Sequence, residues 1–370
     1  MMSKLKLAAL FLAAAFLTHT LRAQTTQPAD AQPQFLQATT PRAWFFPRDH
    51  ARHDGFKTEW WYYTGNLVDD SGRKFGYQLT FFRTALTPES QTRPSAWQFH
   101  DLYFAHAAVS DLQPQRFYVD DCLSRQHAGL AESSDQFLDV RLLDWTAKMT
   151  GSTTALHATA NNFAIDLTCT QGRGPILQGP GGINAKGHHI EQASYYYSMT
   201  RLPTTGLLTI NGQKFNVHGQ TWMDHEFSSN ALAPEQTGWD WMGLSLADGN
   251  DLMLYRMRNK QGQSDYLSAT LIDPAGNPKY LNESQITLES ANPWQSPATN
   301  GIYPQQWTLN IPGLPNLIVT SRMPAQEVIT TSSIKISYFE GSAEVRTAEN
   351  KPYGEGYLEM TGYGKSLSGL

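Results

Sequence analysis

Residues 218–241 place proton-transfer groups among large aromatic rings. The segment reads HGQTWMDHEFSSNALAPEQTGWDW. Trp222, Asp224 and Glu226 occupy every second position, and an extended chain directs alternate side chains to one face, with His225 on the other. A face with an indole and two carboxylates makes a poor hydrophobic core, because a buried charge is costly unless it is paired. Such a face is typical of a cavity in which chemistry takes place.

An acid among indoles suits water addition to a carbon–carbon double bond. A carboxylic acid that an apolar pocket keeps protonated can protonate an isolated C=C bond. Indole faces then stabilise the carbocation by cation–π attraction of about 0.5–2 kcal/mol each, and water adds to give an alcohol. The sequence leaves open whether Asp224 or Glu226 is the acid.

Other reaction classes find less support. Asp224, His225 and Glu226 are all possible metal ligands, but adjacent strand residues point apart and no HExxH motif is present. The sequence also has no GxSxG motif, which argues against a Ser-His-Asp hydrolase. We therefore predict neither a metal site nor a cofactor.

Two aromatic hairpins would position these residues. In the first, Trp60 to Tyr63 precede a polar turn at 69–72 and an alternating apolar run from Phe75 to Phe82. The second repeats this plan: Trp239 to Leu246, a turn at 247–250, and a strand that ends near Arg256. The repeat favours two β-barrels related by duplication, the alternative being a chance match of two hairpins.

Composition and length favour two β domains. The chain has 28 Gly, 20 Pro and 12% aromatic residues, with short alternating runs in place of long helical ones. About 345 residues remain after the predicted signal peptide, more than one hydrophobic core usually supports. We predict an all-β protein with two lipocalin-like β-barrel domains packed side by side. The predicted segments are a signal peptide (1–23), a flexible lead-in (24–41), an N-terminal domain (42–215) and a C-terminal domain (216–370).

The N-terminus predicts export. Lys4 and Lys6 precede an apolar run of about 11 residues, too short for a bilayer span, and Ala23 offers a cleavage point. No later segment approaches the length of a transmembrane helix, so we predict a periplasmic or secreted protein. Loss of Lys4, Lys6 and Arg22 would change the formal charge from −5 to −8, which argues against a nucleic-acid partner. Cys122 and Cys169 could form a disulfide or remain two buried thiols, and both alternatives stay open.

Three segments of the sequence carry a resemblance to a known family. The run GQTWMDHEF, followed by GWDWMGLSLADGNDLMLYRMR, resembles the AttH-like and carotenoid 1,2-hydratase-like family of lipocalin-related proteins, often labelled predicted secreted hydrolases. The run HDGFKTEWWYYTGNLVDDSGRKFGYQLTFFR at 53–83 is similar to its opening strand pair, and GEGYLEMTGYG at 354–364 to its closing strand. The resemblance implies lipocalin-like barrels. It implies no single activity, because the family mixes hydratases, cyclisation catalysts and proteins of unassigned function.

The resemblance also implies roles for particular residues. It makes His218 the proton-transfer group, Trp222 the π-face and Asp224 a second acid/base partner, with Asp240 and Tyr255 as supports. Together with the local pattern, it gives the predicted catalytic set His218, Trp222, Asp224, His225, Glu226, Asp240 and Tyr255. The predicted substrate-binding set is Trp60, Tyr62, His106, Tyr195, Tyr197, Trp239 and Trp241.

The sequence thus predicts an exported hydratase-like lyase for a hydrophobic isoprenoid or polyene-type substrate. The alternative is a lipocalin-like carrier of a hydrophobic small molecule that catalyses nothing, for which the same aromatic cavity would serve. Export argues against a carotenoid in particular, because carotenoids are made at the inner membrane. The oligomeric state stays open.

Overall fold

The computed structural model describes residues 34–88, 99–127, 129–230 and 232–364. The predicted signal peptide and the lead-in up to residue 33 lie outside these residues, so export stays a prediction. From residue 34 the lead-in packs on the protein: Ala38 is buried beside Phe56 and Tyr195, and the Leu36 amide donates to the Gly55 carbonyl oxygen at 2.9 Å. Within the described ranges no helix is long and apolar enough to span a membrane.

The described residues form β-strands and three short 3₁₀ turns (Arg48–His50, Pro180–Gly182 and Glu283–Gln285). The strands up to residue 228 are β1 (Thr58–Asp69), β2 (Lys74–Ala85), β3 (Asp101–Asp111), β4 (Arg116–Arg125), β5 (Ala131–Ser133), β6 (Asp139–Leu142), β7 (Trp145–Thr150), β8 (Thr153–Thr159), β9 (Phe163–Thr170), β10 (Ile176–Leu177), β11 (Ile183–Ala185), β12 (Ala193–Ile210) and β13 (Gln213–Ser228). The later strands are β14 (Gln236–Leu246), β15 (Asp251–Asn259), β16 (Ser264–Ile272), β17 (Pro278–Asn282), β18 (Thr287–Ala291), β19 (Trp294–Gln295), β20 (Ile302–Tyr303), β21 (Gln306–Asn310), β22 (Leu317–Ser321), β23 (Glu327–Ile329), β24 (Ser337–Thr347) and β25 (Pro352–Thr361).

The strands build two large antiparallel sheets and a separate two-stranded one, β19-β20. The first runs β4-β3-β2-β1-β13-β12-β9-β8-β7-β6-β5, with β10 and β11 paired to β12. Because β6 contacts β3 and β4, this sheet is a nearly closed barrel. The second runs β17-β16-β15-β14-β25-β24-β22-β21-β18, with β23 on β24, and curls into a half-barrel. The all-β, two-domain lipocalin-like prediction is confirmed.

The chain changes sheet later than the predicted domain boundary. The prediction placed this boundary between residues 215 and 216, at the start of β13. That strand pairs with β1 and β12 of the first sheet, and the second sheet begins at Gln236. The long pairing with β1, from Thr58 opposite Ser228 to Asp69 opposite Val217, keeps the whole of β13 in the first sheet.

Both predicted hairpins are present, each closed by an Asx-type turn. At the first, Asp69 Oδ1 accepts hydrogen bonds from the Ser71 and Arg73 amides at 2.9 Å, and Gly72 supplies a φ of +84°. At the second, Asp248 accepts from the Asn250 amide at 3.0 Å. Short Asp side chains bond the backbone two residues on, which reverses the chain between two apolar runs.

The strands β1, β2 and β3 are buried on both faces. The predicted alternating residues Phe75, Tyr77, Leu79 and Phe81 point into the barrel, where each is at most 1% exposed. The intervening side chains are also buried, because the outer face of these strands packs against β24 and β25. Strands β1 to β3 from the first half of the chain and strands β24 and β25 from the second half therefore form the two walls of the contact between the sheets.

A buried charge network closes one end of the first barrel. Arg83 donates to Glu59 at 3.1 Å, to Asp101 at 3.0 Å and to the His53 carbonyl oxygen at 2.8 Å. Burial would raise the pKa of Glu59, but hydrogen bonds from His225 and His53 and the charge of Arg83 outweigh it and hold that pKa well below its ordinary value. Glu59 and Arg83 therefore stay charged inside the protein.

Removing Arg83 should destabilise the fold strongly. We expect Arg83→Met to lower the free energy of unfolding by about 3–5 kcal/mol, because Glu59 and Asp101 would be left as buried, uncompensated charges. Urea denaturation followed by tryptophan fluorescence measures the change. The matched control is Arg346→Met, at a half-exposed pair with Glu344, which should stay within about 0.5 kcal/mol of the wild type. Equal losses in both variants would contradict the network's role.

Candidate active site between the sheets

The site lies where the outer face of the first sheet meets the second sheet. In the first sheet, Asp224 on β13 lies opposite Tyr62 on β1 and opposite Ser198 on β12. In the second sheet, Trp241 on β14 lies opposite Glu359 on β25 and opposite Tyr255 on β15. These strands share one buried cluster, which contains Tyr62, Tyr196, Trp222, Trp241, Met253, Tyr255, Met257 and Tyr357. The site is thus held by rigid strands on both sides.

Asp224 is a buried carboxyl bonded by three neutral donors. It is 3% exposed. Oδ1 accepts from Ser198 Oγ at 2.5 Å and from Trp222 Nε1 at 2.7 Å, and Oδ2 accepts from Tyr196 OH at 2.6 Å. Burial raises the pKa of Asp224 to about 7, although these three hydrogen bonds oppose the rise. At neutral pH the carboxyl therefore exists in both the protonated and the ionised form.

Glu226 has a different environment, because a cation pairs with it. Lys186 Nζ lies 2.8 Å from Glu226 Oε1 and stacks over the rings of Tyr196 and Tyr255, at 5.1 and 4.6 Å from their centroids. Tyr255 in turn donates its hydroxyl to the Ala185 carbonyl oxygen. Ala185 and Lys186 are held in place by the pairing of β11 with β12 and by the hydrogen bond from the Lys186 amide to the Gln192 carbonyl oxygen.

The aromatic rings of the site make edge-to-face contacts. The ring centroids of Tyr62 and Trp241 are 5.4 Å apart, and those of Trp222 and Trp241 are 6.1 Å apart. Trp241 also donates to Tyr196 OH at 3.1 Å, so the ring joins the hydrogen bonds around Asp224. Gly243 makes the close packing possible, since a Cβ there would lie 3.0 Å from Trp222 Cδ2.

Many of the residues predicted for the site come together in the structure. They are Tyr62, Trp222, Asp224, Glu226, Trp241 and Tyr255, with Trp60 and Trp239 packed at the edge of the cluster. Sequence reasoning missed Lys186, Tyr196, Ser198, Glu340 and Glu359. Glu359 lies in the closing-strand motif GEGYLEMTGYG, so that motif was the available signal for it.

Three predicted residues point into the first barrel and away from the site. Tyr197 OH contacts His225 Nδ1 at 3.0 Å, and His225 Nε2 lies 2.8 Å from Glu59 Oε1 in the buried charge network. Tyr195 packs with Phe56 and donates to the Thr40 carbonyl oxygen at 2.5 Å. The site therefore receives the middle tyrosine, Tyr196, because odd-numbered residues of β12 face the barrel here.

Three further predicted residues lie elsewhere. Asp240 points into the second sheet's core, where Arg256 Nε and Arg258 Nε donate to it at 2.9 and 3.1 Å. His106 lies two strands from Tyr62 and contacts Tyr338 OH at 2.6 Å. His218 is exposed and lines a separate surface cleft of about 580 Å³. It precedes Asp224 by six residues on one strand, which is about 20 Å.

Replacing His218 should have little effect on activity. We expect His218→Ala to keep turnover within about twofold of the wild type, because a side chain about 20 Å from Asp224 cannot exchange a proton with it directly. The initial rates of wild type and His218→Ala should be compared with a substrate that the wild type converts. A loss above tenfold with an unchanged melting temperature would return His218 to the catalytic set.

One group in the described residues has the composition of a metal site. The possible ligand atoms of His53, Glu59 and His225 lie within 4.8 Å of one another. Both histidines already contact Glu59 Oε1, at 2.9 and 2.8 Å, and Arg83 bonds the other carboxylate oxygen. A metal ion would have to compete with the guanidinium charge, so this group fits a hydrogen-bonded network better. Cys122 and Cys169 are both free thiols.

Comparisons with known proteins match the chain over most of its length. A model of the family described as AttH-like matches residues 37–363. The crystal structure of a putative AttH from Nitrosomonas europaea is 31% identical, with a TM-score of 0.81, and the match covers 89% of this chain and 100% of that one. Kievitone hydratase from Nectria haematococca is 14% identical, with a TM-score of 0.67, over 90% of this chain and 98% of that one.

A more distant structure and a search of curated proteins add little. CghA bound to Sch210972 is 12% identical, with a TM-score of 0.50, over 90% of this chain and 97% of that one. At such identities the likeness to CghA and to kievitone hydratase shows the fold alone. No curated protein matches the chain.

Proposed function

This chain belongs to the AttH-like family, and we propose that it is a hydratase that adds water to a C=C bond of a hydrophobic isoprenoid or polyene-type compound. The observation that carries the proposal is Asp224, a buried carboxyl whose pKa is raised by burial to about 7, set among indole rings. Kievitone hydratase shares the fold and is, by its name, a hydratase, which is compatible with this reaction.

The proposed reaction begins with proton transfer from Asp224. Its protonated form adds a proton to one alkene carbon and leaves a carbocation on the other. The faces of Trp222 and Trp241 stabilise that cation, each by about 0.5–2 kcal/mol. Addition of water to the cation, with loss of a proton, gives an alcohol. Tyr196, Ser198 and Trp222 hold the carboxyl in position and stabilise the carboxylate that proton transfer leaves behind.

Asp224 suits the role of the acid better than Glu226 does. The Lys186 ammonium group stabilises Glu226 as a carboxylate, through their 2.8 Å contact. In the described residues Asp224 has hydrogen bonds only from uncharged groups. A proton can therefore reside on Asp224 near neutral pH without displacing an ion pair.

The lining supports a hydrophobic substrate. The buried cluster that Trp222 and Tyr196 share beside Asp224 consists of aromatic rings, two isoleucines and the side chains of Met253 and Met257. Methionine side chains adapt to irregular apolar shapes, and aromatic rings bury large areas. The apolar surface of these side chains suits an unsaturated hydrocarbon chain.

Incubation of the purified protein with isoprenoids and polyenes, followed by mass spectrometry, tests the proposal. We expect a product heavier than the substrate by one water. A ligand that binds tightly, or copurifies, without any conversion over a long incubation would contradict catalysis and favour the carrier.

Replacing Trp222 should weaken but not abolish the reaction. We expect Trp222→Phe to reduce turnover by about tenfold, because phenyl offers a weaker π-face and cannot donate the hydrogen bond to Asp224. Steady-state rates and substrate affinity should be measured together. If Trp222→Phe lost substrate affinity while turnover stayed at the wild-type level, the indole would serve binding alone.

A further inference from the structure

A pair of acids lies on the second sheet, across the aromatic cluster from Asp224. Glu340 on β24 and Glu359 on β25 are directly opposite each other in the strand register. Glu340 is fully buried and accepts from Tyr62 OH at 2.9 Å, while Glu359 accepts from Trp239 Nε1 at 2.8 Å. Glu359 is less deeply buried than Glu340, so it is the member that a bound molecule can reach. The reaction proposed for Asp224 does not use either carboxyl.

The two carboxyls cannot both ionise easily. Burial and the neighbouring Glu359 raise the pKa of Glu340 well above its ordinary value. Burial raises the pKa of Glu359 to about 7, with the Trp239 hydrogen bond opposing the rise and the charges of Glu226 and Asp224 adding to it. Like charges on neighbouring buried carboxyls repel, so Glu340 favours its protonated form while Glu359 carries the negative charge. Near neutral pH the pair can therefore hold a proton on Glu340 and a negative charge on Glu359.

Several buried polar atoms on β24, on β25 and on the strands β1 and β2 that pack against them have no hydrogen-bond partner among the described residues. They are Glu340 Oε1, Tyr357 OH, Thr64 Oγ1 and Gln78 Oε1. Thr64 and Gln78 are opposite each other on β1 and β2, and Tyr62 connects β1 to Glu340. An unsatisfied buried polar group is costly, and buried water molecules usually bond such groups.

We propose that Glu340 and Glu359 form the base side of this site, binding the water that adds to the substrate and accepting its proton. This inference rests on the proposed hydratase function. Asp224 and the acid pair belong to different sheets, with Tyr62, Trp222 and Trp241 between them. The acid and the water-binding pair therefore belong to different walls of the aromatic cluster.

The protons and bonds balance as follows. The Asp224 proton and the alkene π electrons form a new C–H bond, which leaves a carbocation and the Asp224 carboxylate. A lone pair of the bound water forms the C–O bond, and the proton released from that oxygen passes to the Glu340–Glu359 pair. After product release the pair returns a proton to solvent and Asp224 takes one up. No oxidant, reductant or other co-reactant is needed.

Turnover in deuterium oxide separates the two half-reactions. The probe is geranylgeraniol dispersed in detergent, and the variants are Glu359→Gln, Glu340→Gln and Asp224→Asn. The matched control is Glu344→Gln, a half-exposed residue that shares β24 with Glu340. Hydrated product and deuterium in the recovered substrate are both measured. Deuterium in the recovered substrate reports deuteron transfer from Asp224 followed by return of a proton from the carbocation to the Asp224 carboxylate, and product reports the addition of water.

We expect Glu359→Gln to form hydrated product at least about 100-fold more slowly, with deuterium exchange retained within a fewfold of the wild type. Glu340→Gln should show the same pattern, Glu344→Gln should match the wild type, and Asp224→Asn should lose both signals. Wild-type product formation in both pair variants would overturn the base assignment while leaving the hydratase proposal intact. Loss of exchange together with product in the pair variants would also overturn it, because the pair would then act before the base step.

Infrared spectroscopy tests the pair without any substrate. At pH 7 the wild type should show a buried protonated carboxyl band that is weakened in Glu340→Gln and unchanged in Glu344→Gln. Equal bands in the two variants would contradict a protonated Glu340. The band can also behave as expected while the wild type neither hydrates the isoprenoids nor incorporates deuterium into them. That result would contradict the hydratase function, and with it the role of the pair as the base.

Discussion

Asp224→Asn should reduce water addition by about 10²–10⁴-fold, the range typical of losing a general acid. Asn keeps the volume of the carboxyl and can still accept from Ser198 and Trp222 through its carbonyl oxygen. It has no acidic proton to give to an alkene, so the chemical step should fail while the fold is retained. Rates of product formation and the melting temperature should be measured on the same preparation.

Two further variants make that result specific. Asp166→Asn changes an exposed aspartate on β9 that pairs with His157, and should leave the rate unchanged. Glu226→Gln should lower the rate less than Asp224→Asn, because Glu226 serves as the partner of Lys186. Full activity in Asp224→Asn together with a large loss in Glu226→Gln would move the acid to Glu226.

The rate of hydration should depend steeply on pH, with a maximum near 7. The pKa of Asp224 is raised to about 7, so its protonated form is present below that pH and falls about tenfold for each unit above it. The pKa of Glu359 is also raised to about 7, so its carboxylate is lost on the acid side. The product of the two populations gives a bell-shaped profile of kcat/KM.

The groups that face Asp224 couple these titrations. They are Glu226 and Lys186 beside it and Glu359 across the cluster, so the two observed values belong to the group as a whole. Measuring kcat/KM from about pH 5 to pH 9 in buffers of constant ionic strength tests the profile. A rate that continues to rise from pH 7 to pH 9 would contradict a protonated acid.

The local part of the site could be predicted from the sequence. The alternation of Trp222, Asp224 and Glu226 fixes one face of β13, and the structure places these three side chains on that face. His218 follows the same alternation, so it lies on the same face of β13. Alternation gives the face of a side chain but not its distance along the strand. For Tyr195 to Tyr197, alternation separates the middle ring from the outer two. Only the pairing of β12 with β13 decides which of them faces Asp224.

The long-range part of the site could not be predicted in this way. Glu340 and Glu359 lie more than 100 residues from Asp224 in the chain, and their approach depends on how two sheets pack. Asp240 shows the reverse case. It sits beside Trp239 and Trp241 in sequence, yet Arg256 and Arg258 hold it on the other face of β14.

The side chains on the two faces of β13 also disfavour mispairing of the strand during folding. A slip of one residue against β1 would exchange the faces of every side chain on the strand. Asp224 and Glu226 would then enter the barrel in place of Met223 and His225, without Ser198, Tyr196 or Lys186 to bond them. Glu59 would lose His225 in the same step. Errors on both faces make the slipped pairing unstable from the start, so the residues proposed for chemistry also select the correct partner alignment.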